Sequence, residues 1–284
     1  MPITLDLFPY LDPLFKIHQH NNQQPDNLCG PYWISLLLAA YGQITVSAVD
    51  VAIAASTILP SHGDPSCWLP PNTSSLQGIG YEQIPTSPDL SLCGTAITGL
   101  IQATHTLSQG KFCLIPLQTA NWQDGLSTLS KLCHAYPSWQ AIPLLNPHTS
   151  YLWGTTPSPF TLLSHLQSQQ PPTPPTDWNV GHFNLLIGTL QQNAHPLYTL
   201  LDTYPQFGWQ GMHVQPPSVL SQALHRPQHE TEGGLALFVS AEFCADIERV
   251  VIENGFSISA WDNGSPVDML EKATPESLLG GESL

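Results

Sequence analysis

A cysteine at the start of an apolar helical run is the residue best placed to do chemistry in this chain. Cys29 follows the cap-forming residues Asp26 and Asn27, and Pro31 suits the first turn of a helix. The apolar positions of residues 34–41 recur with helical spacing. A helix amino terminus directs unpaired backbone N–H groups toward the sulfur and so stabilises a thiolate, the nucleophilic form of cysteine. The pattern therefore predicts a nucleophile.

A histidine and an aspartate later in the chain could complete the site. Residues 181–188 alternate in polarity, which predicts a strand with His182 and Asn184 on one face. A second predicted strand ends in Asp202. If the turn between the two strands is centred near Gln192, His182 lies directly opposite Asp202. The carboxylate would then orient the imidazole beside the cysteine and favour its protonated form.

The spacing of a glutamine before the cysteine strengthens this interpretation. Gln23 lies six residues before Cys29, and the later strand contains Gly181-His182-Phe183. Together with Asp202, these motifs resemble the papain-like cysteine peptidase superfamily, and most closely the bacterial double-glycine leader peptidases. The resemblance implies an α+β, papain-like fold in which the nucleophile helix packs on a mainly antiparallel sheet.

The resemblance also implies a role for each residue. Cys29 would be the nucleophile, His182 the general base and then the acid, and Asp202 the group that orients the imidazole. The side-chain amide of Gln23 would form the oxyanion hole with the Cys29 backbone N–H, and Gln24 is the alternative if the loop shifts by one residue. Three tryptophans are predicted to bind substrate, although packing around the sheet is an alternative for them: Trp33, Trp178 and Trp209.

Other motifs give weaker signals. Cys93 could also begin a helix and is a rival nucleophile, but no glutamine precedes it at the right distance. The histidines and glutamates of residues 225–232 have partly helical spacing, but Pro227 interrupts the helix that would align them as metal ligands. Leu278-Leu-Gly-Gly281 resembles the cleavage signal of double-glycine leaders and could be a self-processing site or a pseudo-substrate, with a flexible tail as the alternative.

Composition restricts the partners. The 284 residues contain 6 Lys and Arg against 21 Asp and Glu, a net charge of −15, which disfavours nucleic acid and anionic membrane surfaces. No apolar run could span a bilayer, and we expect a cytoplasmic protein. The six cysteines show no pairing pattern and no Cys-x-x-Cys, so most are expected to be free thiols. Neither metal nor cofactor is predicted, and the oligomeric state is left open.

Three regions are predicted. Residues 1–233 form the catalytic domain, with Pro-rich loops at 59–91 and 168–178; residues 234–270 form a strand–helix–strand appendage or the last strands of the sheet; residues 271–284 form a flexible acidic tail. Helices are predicted at 34–41, 45–57, 92–107, 124–135, 217–225 and 241–254. Strands are predicted at 112–118, 140–145, 181–188, 197–202, 235–239 and 256–261.

The predicted activity is that of a cysteine peptidase-like hydrolase, which cleaves a peptide or amide through a thioester at Cys29. Its partner would be a peptide or protein substrate. Two alternatives remain open. One is a catalytically silent module of the same fold that binds peptides or regulates a partner. The other is an acyl-transfer variant, such as a ligase, cyclase or transglutaminase-like enzyme, in a cleft that excludes water.

Overall fold

The computed structural model describes residues 3–21, 23–63, 68–153, 178–192 and 195–265. This part of the chain is an α+β fold with a mainly antiparallel sheet and seven α-helices. The helices are α1 (Asp12–His18), α2 (Cys29–Gly42), α3 (Ala48–Ala54), α4 (Ile97–Leu107), α5 (Trp122–Ala135), α6 (Pro217–His225) and α7 (Cys244–Glu253). The strands are β1 (Thr4–Leu7), β2 (Leu59–Pro60), β3 (Thr86–Ser87), β4 (Phe112–Gln118), β5 (Ile142–Leu145), β6 (Asn184–Gln192), β7 (His195–Leu201), β8 (Met212–Gln215), β9 (Leu235–Ser240) and β10 (Ser257–Ile258).

Eight strands form the main sheet: seven lie in the order β10-β4-β9-β5-β6-β7-β8, and β1 pairs with β6 beside this path. Every pair in the sheet is antiparallel. The long strand β6 pairs with β7 on one edge and with both β5 and β1 on the other. At Gly188 the register shifts, and a Cβ atom there would collide with the backbone of Asp6 in β1. Glycine is therefore required where the two strands approach. A separate two-stranded parallel sheet joins β2 and β3.

The carboxyl-terminal strands belong to the main sheet. Strand β9 lies between β4 and β5, and β10 pairs with the other edge of β4. Of the two predictions for residues 234–270, the sheet order agrees with the last strands of the sheet rather than with an appendage. Residues 168–177 and the predicted tail at 271–284 lie outside the described ranges.

Helix α2 is the central helix of the core. Its residues Trp33, Ile34, Leu37 and Leu38 are fully buried, as expected for a helix that is apolar on several faces. The Trp33 indole Nε1 donates a hydrogen bond to the carbonyl of Phe183, 3.0 Å away, just before β6. This bond fixes the helix relative to the strand that follows His182.

Several predicted elements have different limits in the structure. Strand β4 and helix α6 have the predicted bounds, and α2 begins five residues earlier than the run at 34–41. The helix expected at 92–107 begins only at Ile97, because Gly94 exchanges two backbone hydrogen bonds with Ile58. Of the described cysteines, Cys29, Cys93 and Cys133 are free, in agreement with the prediction for most of them, and Cys113 of β4 and Cys244 of α7 form a disulfide.

Candidate active site

Cys29 is the first residue of α2. The capping residue, Leu28, has no side chain that could accept a hydrogen bond from the first turn. The backbone N–H groups of that turn are therefore not engaged by a side-chain cap and lie next to the sulfur. A Cβ atom at Gly30 would lie only 2.7 Å from Leu100 Cδ1 and 3.1 Å from Phe183 Cδ2. Glycine after the cysteine lets α4 and β6 approach the start of the helix.

His182 lies just before β6 and is held at both its backbone and its ring. Its backbone N–H donates to the carbonyl of Pro147 at 3.0 Å, and the preceding Gly181 forms a β-bridge with His148. The ring Nε2 lies 3.1 and 3.2 Å from the two carboxylate oxygens of Asp202. This leaves the other ring nitrogen, Nδ1, available to Cys29, which lines the same cavity and whose thiol helps to raise the pKa of the imidazole.

The strand register differs from the predicted one by two residues. Leu185 pairs with Leu201 and Leu186 with Leu200, so that Asp202, the residue after β7, comes opposite Asn184 rather than His182. Because side chains alternate along a strand, a shift of two residues leaves His182 on the same face. It therefore reaches Asp202 diagonally, and Asn184 occupies the position directly opposite.

The Asp202 carboxylate is fully buried and is fixed by several donors. Asn184 Nδ2 donates to Oδ2 at 3.0 Å, and the backbone N–H of Tyr204 donates to Oδ1 at 3.0 Å. A second histidine, His213, places its Nε2 3.7 Å from Oδ2 on the far side. These contacts hold the carboxylate in one orientation, which in turn fixes the ring of His182.

Electrostatics favour an ion pair between the two buried groups. Burial by itself lowers the pKa of His182, but the Asp202 carboxylate, its hydrogen bond and the contact with Cys29 outweigh it and raise the pKa to about 10. Burial would raise the pKa of Asp202, whereas His182 and His213 hold it below its ordinary value. Near neutral pH the imidazole is therefore protonated and the carboxylate ionised.

Of the two glutamines before the cysteine, the structure places Gln24 in the site. The half-buried Gln23 donates from Nε2 to the carbonyl of Ser74 at 2.8 Å and does not line the cavity beside Cys29. Gln24 is buried and lines it, and the Thr203 hydroxyl donates to its Oε1 at 2.5 Å. With Oε1 engaged by Thr203, Nε2 is the end of the amide that is left to donate. Gln23, the predicted oxyanion donor, therefore lies outside the cavity, and Gln24, the alternative, is the glutamine that lines it.

A cavity of about 300 Å³ opens beside the cysteine and the histidine. Trp178 lines it, with its ring 5.0 Å from that of His182 and its Nε1 donating to the Trp68 carbonyl at 3.0 Å. The other two predicted substrate-binding tryptophans do not line it. Trp33 is fully buried in the core, and Trp209 is 68 % exposed on the surface. Both predictions are corrected, because Trp33 packs inward and Trp209 outward.

Comparison with known protein families adds one finding. Residues 8–262 match DUF6885, a family of unknown function. The chain belongs to this family. No curated protein matches it. The matched range contains Cys29, His182 and Asp202, so the arrangement described above lies within the family region.

The structure does not add the other residues that the sequence suggested to the reactive groups Cys29, His182 and Asp202. Cys93 lines the same cavity, but it lies in an extended segment rather than at a helix start, and burial and the nearby Asp89 raise its pKa. In the described ranges, no cluster of His, Cys, Asp and Glu residues could hold a metal ion. Leu278–Gly281 and Cys67 lie outside those ranges.

None of the described helices has the length and apolar character that a membrane span requires.

Sequence reasoning gave three residues of the site no role. Asn184 shares the predicted strand face with His182, so the alternation could have indicated that it contacts the same acid. No local sequence pattern indicated that His213 or Asn146 would lie in the site, because each reaches it from a segment distant in sequence. His213 lies in β8, and Asn146 follows β5.

Proposed function

We propose that this protein is a cysteine peptidase-like acyl-transfer enzyme with a papain-like fold, and that hydrolysis of a peptide or amide is its default reaction. One observation carries the proposal: Cys29, at the amino terminus of a buried helix, lines the same cavity as His182, whose pKa is raised and whose Nε2 is held by Asp202. A thiolate and an imidazolium in contact are the reacting groups of such enzymes.

The steps follow from the positions of these groups. The Cys29 thiolate attacks the substrate carbonyl carbon, a C–S bond forms, and the carbonyl electron pair moves to oxygen. The Cys29 backbone N–H and the Gln24 amide donate to that oxyanion. His182 gives its Nδ1 proton to the leaving nitrogen as the C–N bond breaks. Water then attacks the thioester, His182 takes its proton, and the C–S bond breaks.

Two other outcomes use the same geometry. If an amine rather than water enters the cavity, the thioester is transferred to it, as in a ligase, cyclase or transglutaminase-like reaction; the indoles of Trp68 and Trp178 in the cavity wall favour exclusion of water. If the thiol is not activated, the fold is a silent peptide-binding or regulatory module. A cytoplasmic location and a peptide or protein partner stay predictions.

Site-resolved alkylation tests the proposal. Iodoacetamide labelling at about pH 6 and pH 8, quantified for each cysteine by peptide mass spectrometry, is expected to modify Cys29 at least about tenfold faster than Cys93 at the lower pH. Cys93 is the internal control, because it lines the same cavity. The variant His182→Ala is expected to lose this advantage, since the imidazolium no longer stabilises the thiolate. Equal labelling of Cys29 and Cys93 in the wild type, indifferent to His182, would leave only the silent module.

A further inference from the structure

A buried arginine lies behind one wall of the Cys29 cavity. Arg226, which follows α6, is 2 % exposed; its Nη2 donates to the backbone carbonyl of Asn146 at 2.8 Å and its Nη1 to Thr231 Oγ1 at 3.0 Å. None of the ion pairs between described residues includes it. A buried cation without a counter-ion is costly, so its charge acts on whatever lies nearby.

The group that lies nearest is the side-chain amide of Asn146. Its Oδ1 accepts hydrogen bonds from Arg226 Nη2 at 2.6 Å and from the Trp261 indole Nε1 at 3.4 Å. Because both partners are donors, they fix which end of the amide is oxygen. No described residue accepts a hydrogen bond from the other end, Nδ2, and Asn146 lines the cavity. The charge-assisted bond to Arg226 also polarises the amide and strengthens Nδ2 as a donor.

The rest of the cavity suits a negatively charged group. Of the described residues that line it, none is Asp, Glu, Lys or Arg, and His182 is the one that is protonated near neutral pH. His148, close behind the same wall, has its pKa lowered to about 3 by burial, by His229 and by Arg226, so it is neutral there. Asp202 offsets the charge of His182, so the uncompensated positive charge nearest the cavity is that of Arg226, which acts on it through Asn146.

Gly181 explains how the arginine comes so close to the site. A Cβ atom at this position would lie 3.3 Å from Arg226 Nη2. Glycine lets the guanidinium pack beneath the segment that carries His182, which brings its charge to the same side of the cavity as the reacting groups.

We propose that Asn146, oriented and polarised by Arg226, binds substrate by donating a hydrogen bond from Nδ2 to a carboxylate beside the bond that is attacked. This inference rests on the proposed function and names its substrate class: peptides with an acidic group next to the reacting carbonyl. The carboxylate belongs either to an Asp or Glu side chain or to a free carboxyl terminus.

A pair of reagents that differ only in charge tests this role. Iodoacetate and iodoacetamide share a leaving group and size, and the ratio of their rates at Cys29 reports how well the site accepts a carboxylate. Asn146→Ala is expected to lower the iodoacetate to iodoacetamide ratio about tenfold, the loss of one hydrogen bond to a charged group. Asn146→Asp keeps an oxygen for Arg226 but removes the donor, and is expected to lower the ratio at least as much while preserving the fold.

Asn27→Asp is the matched control, because it adds the same charge elsewhere on the cavity wall. An unchanged ratio in both Asn146 variants, or an equal fall in Asn27→Asp, would overturn the inference. Slow reaction of wild-type Cys29 with both reagents would instead contradict the proposed function itself.

Protection of Cys29 from iodoacetamide then identifies the source of the carboxylate. N-acetylglycine carries a terminal carboxylate, and N-acetylaspartic acid α-methylamide carries an acidic side chain. Protection of the wild type by either compound, weakened about tenfold in Asn146→Asp, supports the inference and assigns the source. If neither compound protects Cys29 at concentrations of about 1 mM, the inference is overturned.

Discussion

At the scale of single residues, the site depends on which end of each side chain points into the cavity. Gln23 and Gln24 are neighbours of the same type, yet only Gln24 is buried beside Cys29, with its oxygen held by Thr203. Gln23 is held outside the cavity by Ser74. A donor is useful to catalysis only if it faces the position where negative charge develops.

The two glutamines therefore provide a matched pair of variants. Gln24→Ala is expected to slow acylation of Cys29 by p-nitrophenyl acetate roughly 10²-fold, because an oxyanion donor is lost. Gln23→Ala is expected to leave the rate within about twofold, since its amide lies elsewhere. The burst of nitrophenol release measures both. A larger effect of Gln23→Ala than of Gln24→Ala would restore the original assignment of the oxyanion donor.

At the scale of elements, the loop that leads to α2 is held by a segment from the Pro-rich region at 59–91. The buried Asp26 carboxylate accepts hydrogen bonds from the Ser75 hydroxyl and, at 3.0 Å, from the Leu76 backbone N–H. Its own backbone N–H donates to the Leu76 carbonyl at 2.8 Å, and its carbonyl accepts from the Tyr81 hydroxyl. Residues 75–81 thus fix the loop that carries Gln24 and ends at the nucleophile.

Removal of this carboxylate is expected to loosen the loop. Asp26→Ala leaves two donors without their acceptor and should lower the free energy of unfolding by about 1–3 kcal/mol. It should also slow acylation of Cys29 by p-nitrophenyl acetate about tenfold, because Gln24 is no longer held in place. Asp50→Ala is the control: it removes the exposed capping box of α3, costs about 1 kcal/mol, and should not change the acylation rate. A wild-type rate in Asp26→Ala would contradict this role of the loop.

At the scale of the whole molecule, the buried ion pair couples folding to pH. The folded-state pKa of His182 is raised to about 10 from an ordinary value of 6.5, so its contribution to stability is complete below about pH 6.5. That contribution is lost as pH rises toward 10. The pKa of Asp202 is lowered, so its contribution is present above about pH 4 and is lost in acid. The contribution of this pair to stability is therefore greatest between about pH 4 and about pH 6.5.

Urea unfolding at several pH values measures the coupling. Between about pH 6 and pH 9 the wild type is expected to lose on the order of 2 kcal/mol of unfolding free energy. His182→Gln removes the titrating group and should show a much flatter profile over the same range. The window stops at about pH 9 because burial also raises the pKa of Cys133, to about 12, which adds a second loss in stronger alkali. Parallel profiles for the two proteins would mean that the pair does not govern the pH dependence.

The local sequence was enough to predict the helix that begins near Cys29 and the two strands beside which His182 and Asp202 lie. Helix starts depend on neighbouring residues, and Cys29 is the first residue of α2. The contact between His182 and Asp202 was predicted even though the register was two residues off, because side-chain alternation has a period of two. A shift of one residue would have placed the histidine on the opposite face.

Only the tertiary structure decided which side chains surround these groups. Gln24 rather than Gln23, Trp178 rather than Trp209, and the Arg226–Asn146 pair all depend on contacts between segments distant in sequence. Such contacts are set by how the sheet and helices pack, not by local propensity, and a one-residue change in a loop alters which amide faces inward. The sequence thus determined where Cys29, His182 and Asp202 lie relative to their local elements, whereas the packing determined which side chains surround them.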